Sequence, residues 1–218
     1  MALRIGIADI RVAWSDAQLK TGSGPLLNLV HTQPTFYTIG PQDDLPDLFD
    51  RVIKEIGNSR IDLLSIYAHG YGVGEATHLH GGFGIELGKD HITIDNADSL
   101  FSPFNGKFLN PLLGIELVGC QVAAQSRVKV GNQIRVGDGL KLCQTISAAA
   151  GTCVRASSSD QTFTPIKEFS RVVPDPSAPA GRASRDGVEV DPGPWEGNVW
   201  LICAKKKPTL LSNRGGMF

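Results

Sequence analysis

The chain has 218 residues, 41% hydrophobic and 20% charged, the balance of a soluble globular domain with a sizeable core. Its net charge of −1, with no block of one sign, leaves no electrostatic footprint for nucleic acid or an anionic membrane, and neither is expected as a partner. No apolar run approaches the ~18–20 residues of a membrane span. Arg4, Asp9 and Arg11 interrupt any signal-peptide core, so a cytoplasmic location is expected.

In chain order, residues 4–12 read as a first strand rich in Ile and Val, followed by a polar, Gly-rich loop over 15–25. Residues 26–31 and 35–39 suit two short strands. Leu45, Leu48, Phe49, Val52, Ile53 and Ile56 then fall at i, i+3, i+4, i+7, i+8 and i+11, the stripe of an amphipathic helix. Asp43 or Asp44 can cap it, Pro46 suits its first turn and Gly57 its stop. Residues 61–68 form a continuous apolar run, as expected of a strand buried on both faces. The same grammar returns with strand 114–118, a long Gly- and Arg-containing loop, a helix capped by Asp138 and stopped by Gly151, and strand 153–156. Strand and helix alternating in this way predict an α/β architecture with a mostly parallel sheet.

Residues 164–194, with several prolines and glycines, predict an irregular excursion. Because 198–204 reads as a last strand after it, the whole of 1–218 is taken as a single domain. Its core spans about 1–161 plus that strand, and the tail from 205 onward is peripheral. The four cysteines form no CxxC pair, which disfavours structural zinc, and reduced thiols are expected. Cys143, Cys153 and Cys203 read as core. His78 and His80 form an HxH without a completing carboxylate or HExxH motif, so no metal is expected. The stretch GYGVG lacks the Lys-Ser/Thr of a phosphate loop, and no cofactor is expected.

Two strand ends carry chemistry. IDLLSIYA ends in His69-Gly70, and GIELV ends in Gly119-Cys120. In open α/β sheets, ligands bind at the carboxyl ends of the strands. If these two strands are parallel neighbours, an imidazole and a thiol arrive at one edge as proton acceptor and nucleophile. The N–H groups of Gly70 and Cys120 then suit an oxyanion hole. No Asp or Asn is placed as a third member, which predicts a dyad.

An apolar strand ending in His-Gly, with an apolar strand ending in Gly-Cys about fifty residues later, resembles the caspase–hemoglobinase (clan CD) superfamily. The segment HGGFGIELGKDHITI is similar to the glycine-rich hairpin of bacterial CHAT-type domains. VGCQVA and GLKLCQTISAAAGTCVRASSSDQ are similar to their cysteine loop, helix and following strand. The resemblance covers about residues 45–161. It implies a three-layer α/β/α caspase-like fold and a cysteine endopeptidase acting on a protein or peptide substrate. In that reading His69 is the base, Cys120 the nucleophile, and a regulatory protein partner is possible. The alternative is a catalytically inactive caspase-like binding module of a larger bacterial assembly. The caspase pattern Gln-Ala-Cys-x-Gly is absent, and Val118 stands where many metacaspases have Asp. Relatives line the specificity pocket from the strand after the nucleophile's helix, so Arg155 would suit an acidic P1 residue and Asp160 a basic one.

Overall fold

Five parallel strands make the body of the fold: β1 (Ala2–Asp9), β2 (Thr35–Ile39), β3 (Arg60–Tyr67), β7 (Ile115–Val118) and β10 (Val154–Ser157). Two antiparallel strands, β13 (Gly197–Ile202) and β14 (Thr209–Arg214), complete a seven-stranded sheet of order β14-β13-β10-β7-β3-β1-β2. The structure, a computed structural model, describes residues 2–13, 35–71, 81–159, 183–185, 188–190 and 197–214. The chain runs from β1 to β2 on one side and then to β3 on the other, so the switch in winding direction falls between β1 and β3.

Side-chain alternation divides the sheet into two faces. Ile5, Ile7, Leu64, Ile66, Ile115, Leu117, Val154 and Ala156 join the main apolar cluster with the helices α2 (Leu45–Ile56) and α4 (Gly139–Ala150). A short helix, α3 (Ala97–Phe101), and the 3₁₀ turn Ser102–Phe104 lie between them. Phe49 of α2 meets Phe101 and Phe104 edge-on, with ring centroids 5.4 and 5.2 Å apart. Such pairs add about 0.5–1.5 kcal/mol each beyond their buried area. The opposite face is buried but more polar, with Leu63, Ser65, Tyr67, Glu116, Arg155 and Ser157.

Local signals explain the helices. The Asp44 side chain accepts the Asp47 N–H at 3.2 Å, Asp90 accepts that of Leu45 at 3.1 Å, and Gly57 ends α2. Asp138 accepts the Lys141 N–H at 3.1 Å at the start of α4, which stops at Gly151. The segment resembling a glycine-rich hairpin holds β5 (Gly84–Glu86) and β6 (Ile92–Thr93), joined to β4 (His69–Tyr71) in a three-stranded sheet.

The fold departs from the sequence reading in four places. The first strand stops at Asp9, where a helical turn, α1 (Ile10–Ala13), begins. The expected loop after Cys120 contains a hairpin of β8 (Gln125–Val130) and β9 (Gln133–Asp138). The tail is not peripheral, since β14 forms an edge of the main sheet. Cys153 and Cys203 are not reduced core thiols but a disulfide. They flank the antiparallel pair Val154↔Ile202, and that register sets them opposite each other with Cα atoms 4.4 Å apart. The expectation of reduced thiols thus fails for this pair. Among the described residues, no helix is long and apolar enough to cross a membrane.

The expected loop 15–25 and strand 26–31 lie outside the described residues, as do His78, His80 and most of 164–194. Within that last stretch, the backbones of β11 (Ala183–Arg185) and β12 (Val188–Val190) pair as a small ribbon.

Candidate functional site

The strands that end in His69 and Cys120 are parallel neighbours. Tyr67 pairs with Val118, and the Ala68 N–H donates to the Val118 carbonyl at 3.2 Å. Beyond the pairing, the two backbones press together through glycine. A methyl group on Gly70 would stand 1.7 Å from the Cys120 carbonyl oxygen, and one on Gly119 would stand 2.4 Å from that of Ala68. Only a residue without Cβ permits either approach. The sequence-predicted Gly70 and Cys120 therefore meet at the carboxyl edge of the sheet, one strand away from the switch between β1 and β3.

The cysteine turn is fastened on both sides. Gln121, immediately after the thiol, has φ 52°, the left-handed region that a non-glycine residue rarely occupies. Its N–H donates to the Ser159 carbonyl at 2.9 Å, and its side-chain oxygen accepts the Gly81 N–H at 2.8 Å. The Ala123 N–H donates to the Ser157 carbonyl at 2.8 Å, tying the turn to the end of β10. A strained residue persists where its surroundings over-determine it, and such residues cluster at functional sites. Cys120 is half-buried, whereas Cys143 is fully buried on α4, and desolvation there drives its thiol pKa well above the ordinary value.

His69 is exposed, and its ring reaches towards the helical turn α1: Nε2 lies 3.3 Å from the backbone carbonyl oxygen of Arg11. A carbonyl can only accept, so Nε2 is the donor in this contact. The Arg11 carbonyl is a partner of the His69 ring that the sequence reading lacked. Its position follows from the Arg11 side chain. The guanidinium donates to Asp9 from Nε at 2.7 Å and from Nη2 at 2.5 Å, to Glu86 from Nη1 at 2.8 Å, and to the Gly88 carbonyl at 2.9 Å. Asp9 is wholly buried and also accepts the backbone N–H groups of Arg11 and Gly88. The hydrogen bond to Asp9, more than any other influence, raises the Arg11 pKa still further, so the cation is permanent. Asp9, Arg11 and Glu86 were not singled out from sequence. The available signal was a carboxylate at the end of an apolar strand, two residues before an arginine.

Arg155, the candidate for an acidic P1 residue, is a sheet residue. It lies in the middle of β10, buried on the polar face of the sheet and ion-paired with Glu116 of β7. Ser65 of β3 donates to the other Glu116 oxygen at 3.2 Å. The three residues form one cross-strand row, in which the Arg155 charge is already neutralised. Asp160 lies outside the described residues. Among the described residues, no group of three His, Cys, Asp or Glu side chains is arranged to hold a metal ion.

Gly70→Ala tests the contact between the strand ends. The added methyl collides with backbone rather than with a flexible side-chain tip, so a cost of about 1–3 kcal/mol is expected. A urea melt measures the cost, and alkylation of Cys120 reports whether the turn has moved. A variant as stable as the parent, with unchanged alkylation, would contradict the geometry.

No protein-family model, curated protein or solved structure matches the chain.

Proposed function

We propose that the chain is a cysteine endopeptidase of three-layer, caspase-like α/β/α fold, with His69 and Cys120 as its working pair. The observation that supports this most is the backbone contact of Gly70 with Cys120 at the ends of adjacent parallel strands. In this reading His69 Nδ1 takes the proton from Cys120 Sγ while the Arg11 carbonyl holds Nε2–H. The thiolate adds to a peptide carbonyl, and the N–H groups of Gly70 and Cys120 receive the oxyanion. The imidazolium returns its proton to the leaving amine. Water, deprotonated by the same nitrogen, then releases the acyl group and restores the thiol. The substrate is an extended stretch of protein, and the chemistry draws on no cofactor.

A second reading, a catalytically idle caspase-like module that binds a partner, is favoured by the exposed β8–β9 hairpin beside the site. One experiment separates the two. Substoichiometric iodoacetamide at neutral pH, followed by mass mapping, is expected to label Cys120 and spare Cys143. His69→Ala should then slow Cys120 labelling by about tenfold or more, as a thiolate partner is lost. Slow labelling that is indifferent to His69 would sink the peptidase reading.

A further inference from the structure

The β8–β9 hairpin is unlike the rest of the surface. Its strands face each other from Gln125↔Asp138 to Val130↔Gln133 across the two-residue turn Gly131-Asn132. A two-residue turn with glycine suits the twist of a tight hairpin. The root is anchored: Ser126 Oγ donates to the Gly81 carbonyl at 2.6 Å, Gly137 is buried against Gly81 and the Phe83 ring, and Asp138 caps α4. Beyond the root the hairpin projects into solvent. Ile134 is 69% exposed and Val136 59%, the first being the most exposed large apolar side chain among the described residues. The ribbon is a sheet of two strands only, so among the described residues neither outer edge is paired with a further strand.

Register gives the ribbon a two-sided character. Arg127 and Lys129 share a face with their cross-strand partners Val136 and Ile134, while Val128 and Val130 share the other with Arg135 and Gln133. Along β8 the outer edge thus offers cations on one face and valines on the other. Along β9 it offers apolar residues on one face and Arg135 on the other. Both edges call for the same complement, an extended chain that alternates acidic and apolar side chains. From Gln125 to Gly137 there are three cations and no acid, so the attraction is not cancelled locally. Open, β-branched edges ordinarily risk self-association, and the lysine and arginines that discourage it also define what is admitted.

We propose that this hairpin is a docking site for an acidic–apolar extended segment of a partner protein, added as a third strand. Main-chain hydrogen bonds supply affinity, and the alternating side chains supply selection. A nucleic-acid strand fits less well, because the ribbon has no aromatic residue on which a base can stack. The site is independent of any peptidase activity. It is nonetheless close to the thiol, since β8 begins five residues after Cys120 on the same anchored turn.

The test uses the full chain and a fluorescein-labelled peptide alternating Glu and Val, followed by anisotropy. Saturable binding is expected that weakens with salt. Arg127→Glu with Lys129→Glu should weaken it by about tenfold or more and should improve binding of a Lys/Val peptide in exchange. On the unmodified protein, N-methylation of alternate amides along one peptide edge should abolish binding, because strand addition needs those donors. The proposal is overturned if Glu/Val and Lys/Val peptides bind alike, or if the N-methylated peptide binds undiminished. It is equally overturned if a single-stranded oligonucleotide binds where the Glu/Val peptide does not. The last three readings do not depend on the folding of any variant.

Discussion

Replacing Cys120 with alanine is expected to remove cleavage of a susceptible peptide, lowering kcat by roughly four orders of magnitude or more, as loss of a covalent nucleophile does elsewhere. The same substitution should barely change the urea midpoint, because a half-buried side chain gives up one sulfur and no disulfide. His69→Ala should reduce turnover comparably, and the double variant little further, since residues that act as one unit are non-additive. The measurement is kcat on any substrate selected from a peptide library. Turnover that survives in Cys120→Ala would leave the caspase-like chemistry without its nucleophile.

Glu116→Ala should be among the most destabilising substitutions in the chain, at about 3–5 kcal/mol in a urea melt. The reason is not the strength of the ion pair as such. Glu116 is wholly buried and Arg155 nearly so, and removing the carboxylate takes a counter-charge from a guanidinium inside the sheet and leaves the Ser65 hydroxyl without its acceptor. Replacing both charged residues with Met should recover most of the loss, because an apolar pair fills the space without paying for desolvation. A nearly neutral Glu116→Ala would show that the Glu116–Arg155 pair does not carry the interior of the sheet. The two predictions probe different things: one tests the edge where chemistry is proposed, the other the interior that carries that edge.

Periodicity and caps were enough to read α2 and α4 from the sequence, because a 3.6-residue stripe between Asp and Gly has few alternatives. The meeting of Gly70 and Cys120 was foreseeable from two apolar runs that end in glycine-flanked polar residues. Three features were not legible, for different reasons. The Arg11 carbonyl belongs to the backbone, and every residue has one, so only the fold can select it. The Cys153–Cys203 bond follows from the register of β10 against β13, which cysteine spacing does not encode. The Arg155–Glu116 pair was hidden because a strand sequence does not say which neighbour holds the opposite charge. The hairpin was legible, although the segment reads as a loop above: SRVKV and QIRV alternate with period two around Gly-Asn, which is a hairpin signal.

The disulfide has a topological consequence. It closes a loop with a sequence separation of 50, and the excursion 164–194 lies inside that loop. In the chain-entropy view, closing a loop of this length stabilises the folded state by about 4 kcal/mol. It also means that a single cut within the excursion 164–194 divides the polypeptide without dividing the molecule. The new C-terminal piece keeps both β13 and β14, hydrogen-bonded to the sheet and covalently tethered beside β10. Proteolysis alone would give a two-chain protein of unchanged mass apart from one added water, and only a reductant would make it come apart.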